Sequence, residues 1–200
     1  MLLLIFSIAL SYGSVAVSFW DEEVSVADIQ CLQSKGIDYF IIKAFNWEDV
    51  QTVGTITIQN AQQVGIKYID ILVIPDPKQV PDPLVVFKSV TDNYPASKFV
   101  WIDPYYFMYY REGPIVSYLS KLVKAFESSN RSVGLSTSSY YWRQAFGNFT
   151  VYQNYSLVYE GTDENSFDDF VPFGGWVKPA MKLKRASSSL CGHTLIPYFY

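Results

Sequence analysis

Residues 98–136 read KFVWIDPYYFMYYREGPIVSYLSKLVKAFESSNRSVGLS, and this stretch decides the fold. Its first six residues end in Trp101-Ile102-Asp103 and are cut off by Pro104, the pattern of a short buried strand. Pro114 suits the first turn of a helix, where a backbone N–H is not needed. Behind it Ile115, Tyr118, Leu119, Leu122, Val123 and Phe126 recur at helical spacing and define one buried face. Residues 132–136 return to a strand. Strand, helix and strand in succession form the repeating unit of a parallel sheet.

The same alternation extends in both directions. Residues 15–19 read as a first strand. Ser25-Val26-Ala27-Asp28 resembles a capping box, with Asp in the place of the usual Glu or Gln. The helix it opens carries Ile29 and Leu32 inward and stops near Gly36. Residues 39–44, with Ile41 and Ile42, are the continuous apolar run of a buried parallel strand. A helix over 55–64, a strand over 68–74 ended by Pro75, and a helix over 83–90 follow. Beyond 132–136 comes a short helix at 140–146. Then the pattern changes: 151–160, 176–184 and 195–200 read as strands joined by loops. About eight strands predict an α/β fold, an irregular β/α (TIM-like) barrel with few helices in its last third.

The chain has 200 residues, half of them hydrophobic and 17% charged, enough for one domain with a real core. A net charge of −4 argues against a nucleic-acid partner, which needs a basic stripe. The longest basic run, Lys182 to Arg185, reads as a solvated strand end. Residues 1–13 read as a signal peptide, apolar to Leu10 and ending in the small residues Ser11 and Gly13. That run is about half of the ~20 residues a spanning helix needs, so no membrane association is expected after cleavage. Residues 14–200 are left as the barrel domain. Secretion, to the exterior or a secretory-lysosomal compartment, also fits the sequons at Asn130, Asn148 and Asn154. The only cysteines, Cys31 and Cys191, form an even pair. A bridge between them would contribute about 5 kcal/mol by the chain-entropy estimate; two buried free thiols are the alternative. Aromatic residues make up 18% of the chain, which suits either a sugar-stacking groove or a ring-rich core.

Chemistry in such a barrel sits at the C-terminal ends of the strands, and Asp103 closes one of them. The competing reading is an Asp that caps the turn before Pro104. Asp70 lies within a strand, where its charge must face the barrel mouth or find a partner. Other chemistries find little support. The single histidine, His193, would have to carry any Ser-His-Asp triad alone. No His/Cys cluster has metal-ligand spacing, and no cofactor is expected. Gly174-Gly175 precedes Trp176 and a strand, so it is not a phosphate cradle.

Several segments, in order, resemble family 25 of the glycoside hydrolases, the secreted lysozymes of protists, nematodes and fungi. They are Gln30-Cys31-Leu32 with Ile41-Ile42-Lys43-Ala44, Asp70 with Pro75, Trp101-Ile102-Asp103, Gly134-Leu135-Ser136-Thr137-Ser138 with Trp142, Phe173-Gly174-Gly175-Trp176 with Lys178-Pro179, and Leu190-Cys191-Gly192 with a final Tyr. The resemblance implies a β/α barrel that cuts peptidoglycan glycan strands with acidic residues around an Asp-x-Glu motif. Here Asp103 matches the Asp of that motif, but the Glu position is Tyr105. The family's first-strand Asp falls on Ala16, or on Phe19 with a different gap. A late Asp falls on Ile196 and its Asn on Tyr198. The Tyr of the fifth-strand motif is Ser136, and Asp76 replaces a cysteine that some relatives pair. Asp163 aligns loosely with a further acid.

Glycosidic cleavage needs a carboxylic acid to protonate the leaving oxygen and a second group opposite it. Tyr105, with a pKa near ~10, is a weak donor at neutral pH. The expectation is therefore a catalytically degenerate, monomeric relative. It would bind a peptidoglycan-like glycan through a rim of Tyr105, Tyr106, Phe107, Tyr109, Tyr110, Trp101 and Trp176, and act in host–microbe contact. A filled, inactive cleft is the competing reading of that rim. One alternative is an active muramidase using Asp103 with another acid, Glu160 or Asp163. Another is a secreted scaffold or signalling protein that binds other proteins.

Overall fold

The computed structural model describes residues 15–19, 22–110 and 114–200; the expected signal peptide over 1–13 lies outside them. The strands are β1 (Val15–Phe19), β2 (Tyr39–Trp47), β3 (Asp49–Val50), β4 (Tyr68–Pro75), β5 (Phe99–Ile102), β6 (Ser132–Thr137), β7 (Ser156–Glu160), β8 (Met181–Leu183), β9 (Ser188–Leu190) and β10 (His193–Phe199). The helices are α1 (Val26–Ser34), α2 (Val53–Gln63), α3 (Pro83–Asn93), α4 (Pro114–Ser128) and α5 (Ser139–Phe146). A 3-10 turn covers Tyr105–Tyr109. Strand order β1-β10-β8-β7-β6-β5-β4-β2, with β1 pairing β2, closes an eight-stranded barrel.

Caps and turns follow the sequence. Ser25 accepts the Asp28 N–H and donates to its carboxylate, which starts α1. Asp82 caps α3 ahead of Pro83, and Ser138 caps α5. The apolar stripe of α4 is buried in full. Two features differ from the expectation of a parallel sheet. β10 runs antiparallel to both β1 and β8, because only a short hairpin through β9 separates it from β8. The strands expected over 151–160 and 176–184 shrink to β7 and β8, since residues before each are turns.

The barrel interior is filled. Ala16, Ile41, Leu72, Trp101, Val158, Met181 and Tyr198 alternate inward and pack as one cluster. Gly134 of β6 lies against the Trp101 ring, and a Cβ there would collide with it. Below, Asp70 accepts hydrogen bonds from Trp101 Nε1 at 2.9 Å and from the Tyr39 hydroxyl. Asp70 is thus a structural anchor inside the lower barrel and does not reach the mouth.

The outer face of β7 and β8 has no helix of its own. The 161–180 segment covers it, fixed by an ion pair between a buried lysine and a half-buried aspartate. Lys182, fully buried, meets Asp169 Oδ1 at 2.7 Å, and the Tyr159 hydroxyl donates to the same oxygen. Burial works against the Asp169 charge, but Lys182, Tyr159 and the Thr162 N–H outweigh it and hold the carboxyl well below its usual range. Lys182 is therefore not part of a solvated strand end. Nearby, Trp142 packs on Trp176 with ring centroids 4.8 Å apart, and both rings are buried. Much of the aromatic excess is core.

Cys31 and Cys191 are bridged across a sequence separation of 160, tying α1 to the turn between β9 and β10. Beside that bridge, His193 Nδ1 lies 3.1 Å from Glu22 and Nε2 lies 3.2 Å from Asp28. Burial alone would lower the His193 pKa, but the two carboxylates outweigh it and raise it. A raised histidine pKa gives stability that is complete below the unfolded value of about 6.5 and is lost as pH rises through the folded value. The melting temperature is therefore expected to fall between about pH 6 and 9 in the wild type, and to fall less in His193→Gln. Equal slopes in thermal melts would contradict the clasp. Separately, Gly134→Ala is expected to cost about 1–3 kcal/mol in denaturant unfolding, because Trp101 has no room to give way.

Candidate functional site

The strand ends at the mouth place Trp47 (β2), Asp103 (after β5), Ser136 (β6) and Glu160 (β7) on one face, with Asp76 just beyond β4. Asp103 is half-buried. The Ser136 hydroxyl donates to its Oδ2 at 3.3 Å, and the Tyr105 backbone N–H also donates to the carboxylate. Its Oδ1 is closed off from solvent and has no hydrogen-bond partner among the described residues. Desolvation pushes the Asp103 pKa up to about 7 against those two donors, and the charge of Glu160 adds to the rise.

The two other carboxylates weighed from the sequence separate clearly. Glu160 is half-buried, lies close enough to act on Asp103 electrostatically, and meets Arg185 Nε at 3.4 Å. Asp163 is exposed and accepts the Ala186 N–H at 2.9 Å, a contact between the loops that follow β7 and β8. Of the two positions weighed for the first-strand acid, Ala16 faces the barrel interior and Phe19 packs in the outer core. Opposite Ala16 stands Tyr198, whose hydroxyl pairs with Ser18 at 3.3 Å. Among the described residues, the polar contact made there is this neutral hydroxyl pair.

Tyr105 is held by other tyrosines. Its hydroxyl lies 3.5 Å from that of Tyr109, and its ring packs edge-on against Tyr106 and Tyr141. The Tyr109 hydrogen bond and burial push its pKa up to about 12, further from that of a useful acid. Tyr109 and Tyr140 are the open ends of this ribbon, 62% and 64% exposed. Tyr140 and Tyr141 border a cleft of about 690 Å³ that Arg143, Glu160 and Arg185 also line.

Three expected rim rings are not at the rim. Trp101 is 3% exposed inside the barrel and donates to Asp70. Trp176 is 2% exposed on the outer side and donates to the Tyr155 carbonyl at 2.9 Å. Phe107 is fully buried beneath the tyrosines. None of the three can stack on a sugar. The sequence reading missed Trp47, and saw in Asp76 only a lost cysteine. Asp76 is buried and accepts from Trp47 Nε1 at 3.1 Å, the Tyr110 hydroxyl at 2.6 Å and the Lys78 N–H at 2.9 Å. Its parity with Asp70 and Leu72 along β4 was the available signal. Among the described residues, no three His, Cys, Asp or Glu side chains are grouped so as to hold a metal ion.

A closed β/α barrel with one desolvated carboxylate under a tyrosine rim is an architecture that many classes of enzyme share. Comparison with known proteins narrows the class. A family model described as "Lysozyme-like protein 1" matches residues 13–183. The chain is 30% identical over 179 residues to probable GH family 25 lysozyme 2 of Dictyostelium discoideum, covering 84% of this chain and 82% of that protein. Its fold superposes on a family GH25 lysozyme from Aspergillus fumigatus with a TM-score of 0.76 at 14% identity, covering 94% of each chain. It superposes on the modular autolysin LytC from Streptococcus pneumoniae, solved with a synthetic peptidoglycan ligand, with a TM-score of 0.69 at 8% identity, covering 94% of this chain and 46% of that one. The chain belongs to glycoside hydrolase family 25, among its lysozyme-like members.

The raised pKa of Asp103 has a measurable consequence. A carboxyl whose folded pKa exceeds its unfolded value of about 3.9 loses its stability contribution as pH rises from there through the folded value. Asp103→Asn mimics the neutral form. It is therefore expected to raise the melting temperature relative to wild type at pH 8 and to leave it nearly unchanged at pH 4. A constant difference across that range would contradict the desolvated carboxyl.

Proposed function

We propose that this chain is a secreted, monomeric lysozyme-like protein that binds a peptidoglycan-like glycan at the barrel mouth and has lost hydrolysis. One observation carries the reading. Around Asp103 the direct partners are Ser136 and the Tyr105 backbone, while the acid position itself is a tyrosine tied to Tyr109. A pair of carboxyl groups flanking a scissile bond is the usual requirement of the reaction. Removal of a general acid typically costs about 10²–10⁴-fold in rate, and Ala16 and Ile196 leave no further charge for a developing cation.

Retained binding is supported by the exposed ends of the tyrosine ribbon and by the autolysin of the same fold, whose structure holds a peptidoglycan ligand. Secretion is supported by the disulfide and by sequons whose asparagines, Asn130, Asn148 and Asn154, are exposed. All three lie in loops leading into strands, at the end opposite the mouth, so glycans there would leave the mouth open. Asn130 also has a positive φ of 60°, a conformation asparagine tolerates after a helix, which accounts for it without a glycan.

A second reading is favoured by the proximity of Glu160. A carboxyl held protonated to about pH 7 is suited to donate a proton, and Glu160 could serve as its partner. The experiment is release of reducing ends from purified peptidoglycan by the mature protein, beside Asp103→Asn and Glu160→Gln. The expected result is no release by any of the three, with wild type still sedimenting with peptidoglycan. Release by wild type that both substitutions abolish would replace the first reading with the second.

A further inference from the structure

We propose that Trp47 is a sugar-stacking platform at the barrel mouth; the proposal rests on the glycan-binding reading and names a residue that would carry it. β2 and β3 pair Asn46 with Asp49, so Trp47 and Glu48 form a two-residue hairpin loop. Trp47 takes φ 61°. Loops of this length use a positive φ at their first central residue and are normally filled by Gly, Asn or Asp. A tryptophan there is a genuine outlier for a bulky side chain. Core burial does not account for it, since 45% of the residue stays exposed. Strain of this kind persists where the surroundings over-determine it, and it clusters at ligand sites.

The surroundings here do over-determine it. The Trp47 carbonyl accepts the Asp76 N–H at 2.9 Å, and the indole Nε1 donates to Asp76 Oδ2 at 3.1 Å. Asp76 is itself fixed by the Tyr110 hydroxyl and the Lys78 N–H. The indole edge is thus locked while much of the residue stays in solvent. An aromatic ring with a fixed orientation loses little freedom on binding and offers its electron-rich face to the C–H face of a pyranose. The platform shares the strand-end face with the rest of the mouth: Asp76 follows β4 and Asp103 follows β5, and Tyr106 is near enough to both to feel their charges. The ligand class is a neutral pyranose oligosaccharide, with N-acetylglucosamine oligomers as the simplest probe.

The test is calorimetric titration of the mature protein with the N-acetylglucosamine tetramer and with a solubilised peptidoglycan fragment. Trp47→Gly is the first variant, because glycine suits the turn while removing the ring. The expected result is a folded variant that binds at least about tenfold more weakly, the size of effect seen when an aromatic anchor is truncated. In parallel, the Trp47 indole N–H resonance of the wild type should shift on adding sugar, which decides the matter even where the variant does not fold. Unchanged affinity in a folded variant, or an unmoved indole resonance in a sugar-bound wild type, overturns the platform and leaves the glycan reading intact. No binding of either probe by the wild type overturns both.

Discussion

Everything in this molecule depends on a barrel interior that is packed with side chains. Trp101 fills its middle because Gly134 opposite has no side chain, and Asp70 and Tyr39 hold the indole from below. A packed interior leaves no channel, so chemistry is confined to the strand ends above it. Asp103, two residues beyond Trp101 on the same parity, is where the buried interior meets the mouth. Its half-buried position, with no hydrogen-bond partner for Oδ1 among the described residues, explains a carboxyl that resists ionisation.

The last third of the chain closes this barrel with few helices. β10 inserts antiparallel between β8 and β1, and the 161–180 segment takes the place of a helix on the outer face. Such a segment is held by specific contacts in place of a repeating apolar stripe. The Lys182–Asp169 pair, the Trp142–Trp176 contact and the Cys31–Cys191 bridge each tie distant parts of the sequence together. The charge of buried Lys182 is tolerable because its half-buried partner Asp169 is held in place by further hydrogen bonds from Tyr159 and Thr162.

The barrel and the order of its strands through β6 were legible in the sequence because period-2 and period-3.6 patterns alternate cleanly there. α4 is the clearest case, with every apolar position of its stripe buried. The antiparallel β10 was not legible, since direction is set by a short hairpin whose residues, Ser188 to Gly192, carry no apolar pattern. At the site, Asp103 and Tyr105 could be picked out from their motif, and the disulfide from cysteine parity. Trp101 and Trp176 were misplaced at the rim because sequence shows that a ring exists but not which way it faces; strand parity with buried neighbours assigns Trp101 inward. Trp47 was invisible because its role follows from a backbone angle and a partner 29 residues away.

The mouth that results carries exposed tyrosines, with Asp103 and Glu160 as its neighbouring carboxyl groups and Tyr105 where the sequence motif would place an acid. Ala16, Tyr105 and Tyr198 are an apolar or weakly acidic set around one Asp whose pKa is raised to about 7. Native mass spectrometry of the mature chain after prolonged incubation with a defined peptidoglycan tetrasaccharide tests this most directly. The account predicts a complex carrying the intact tetrasaccharide mass and no shorter sugars in solution. Disaccharide products, bound or free, would contradict it.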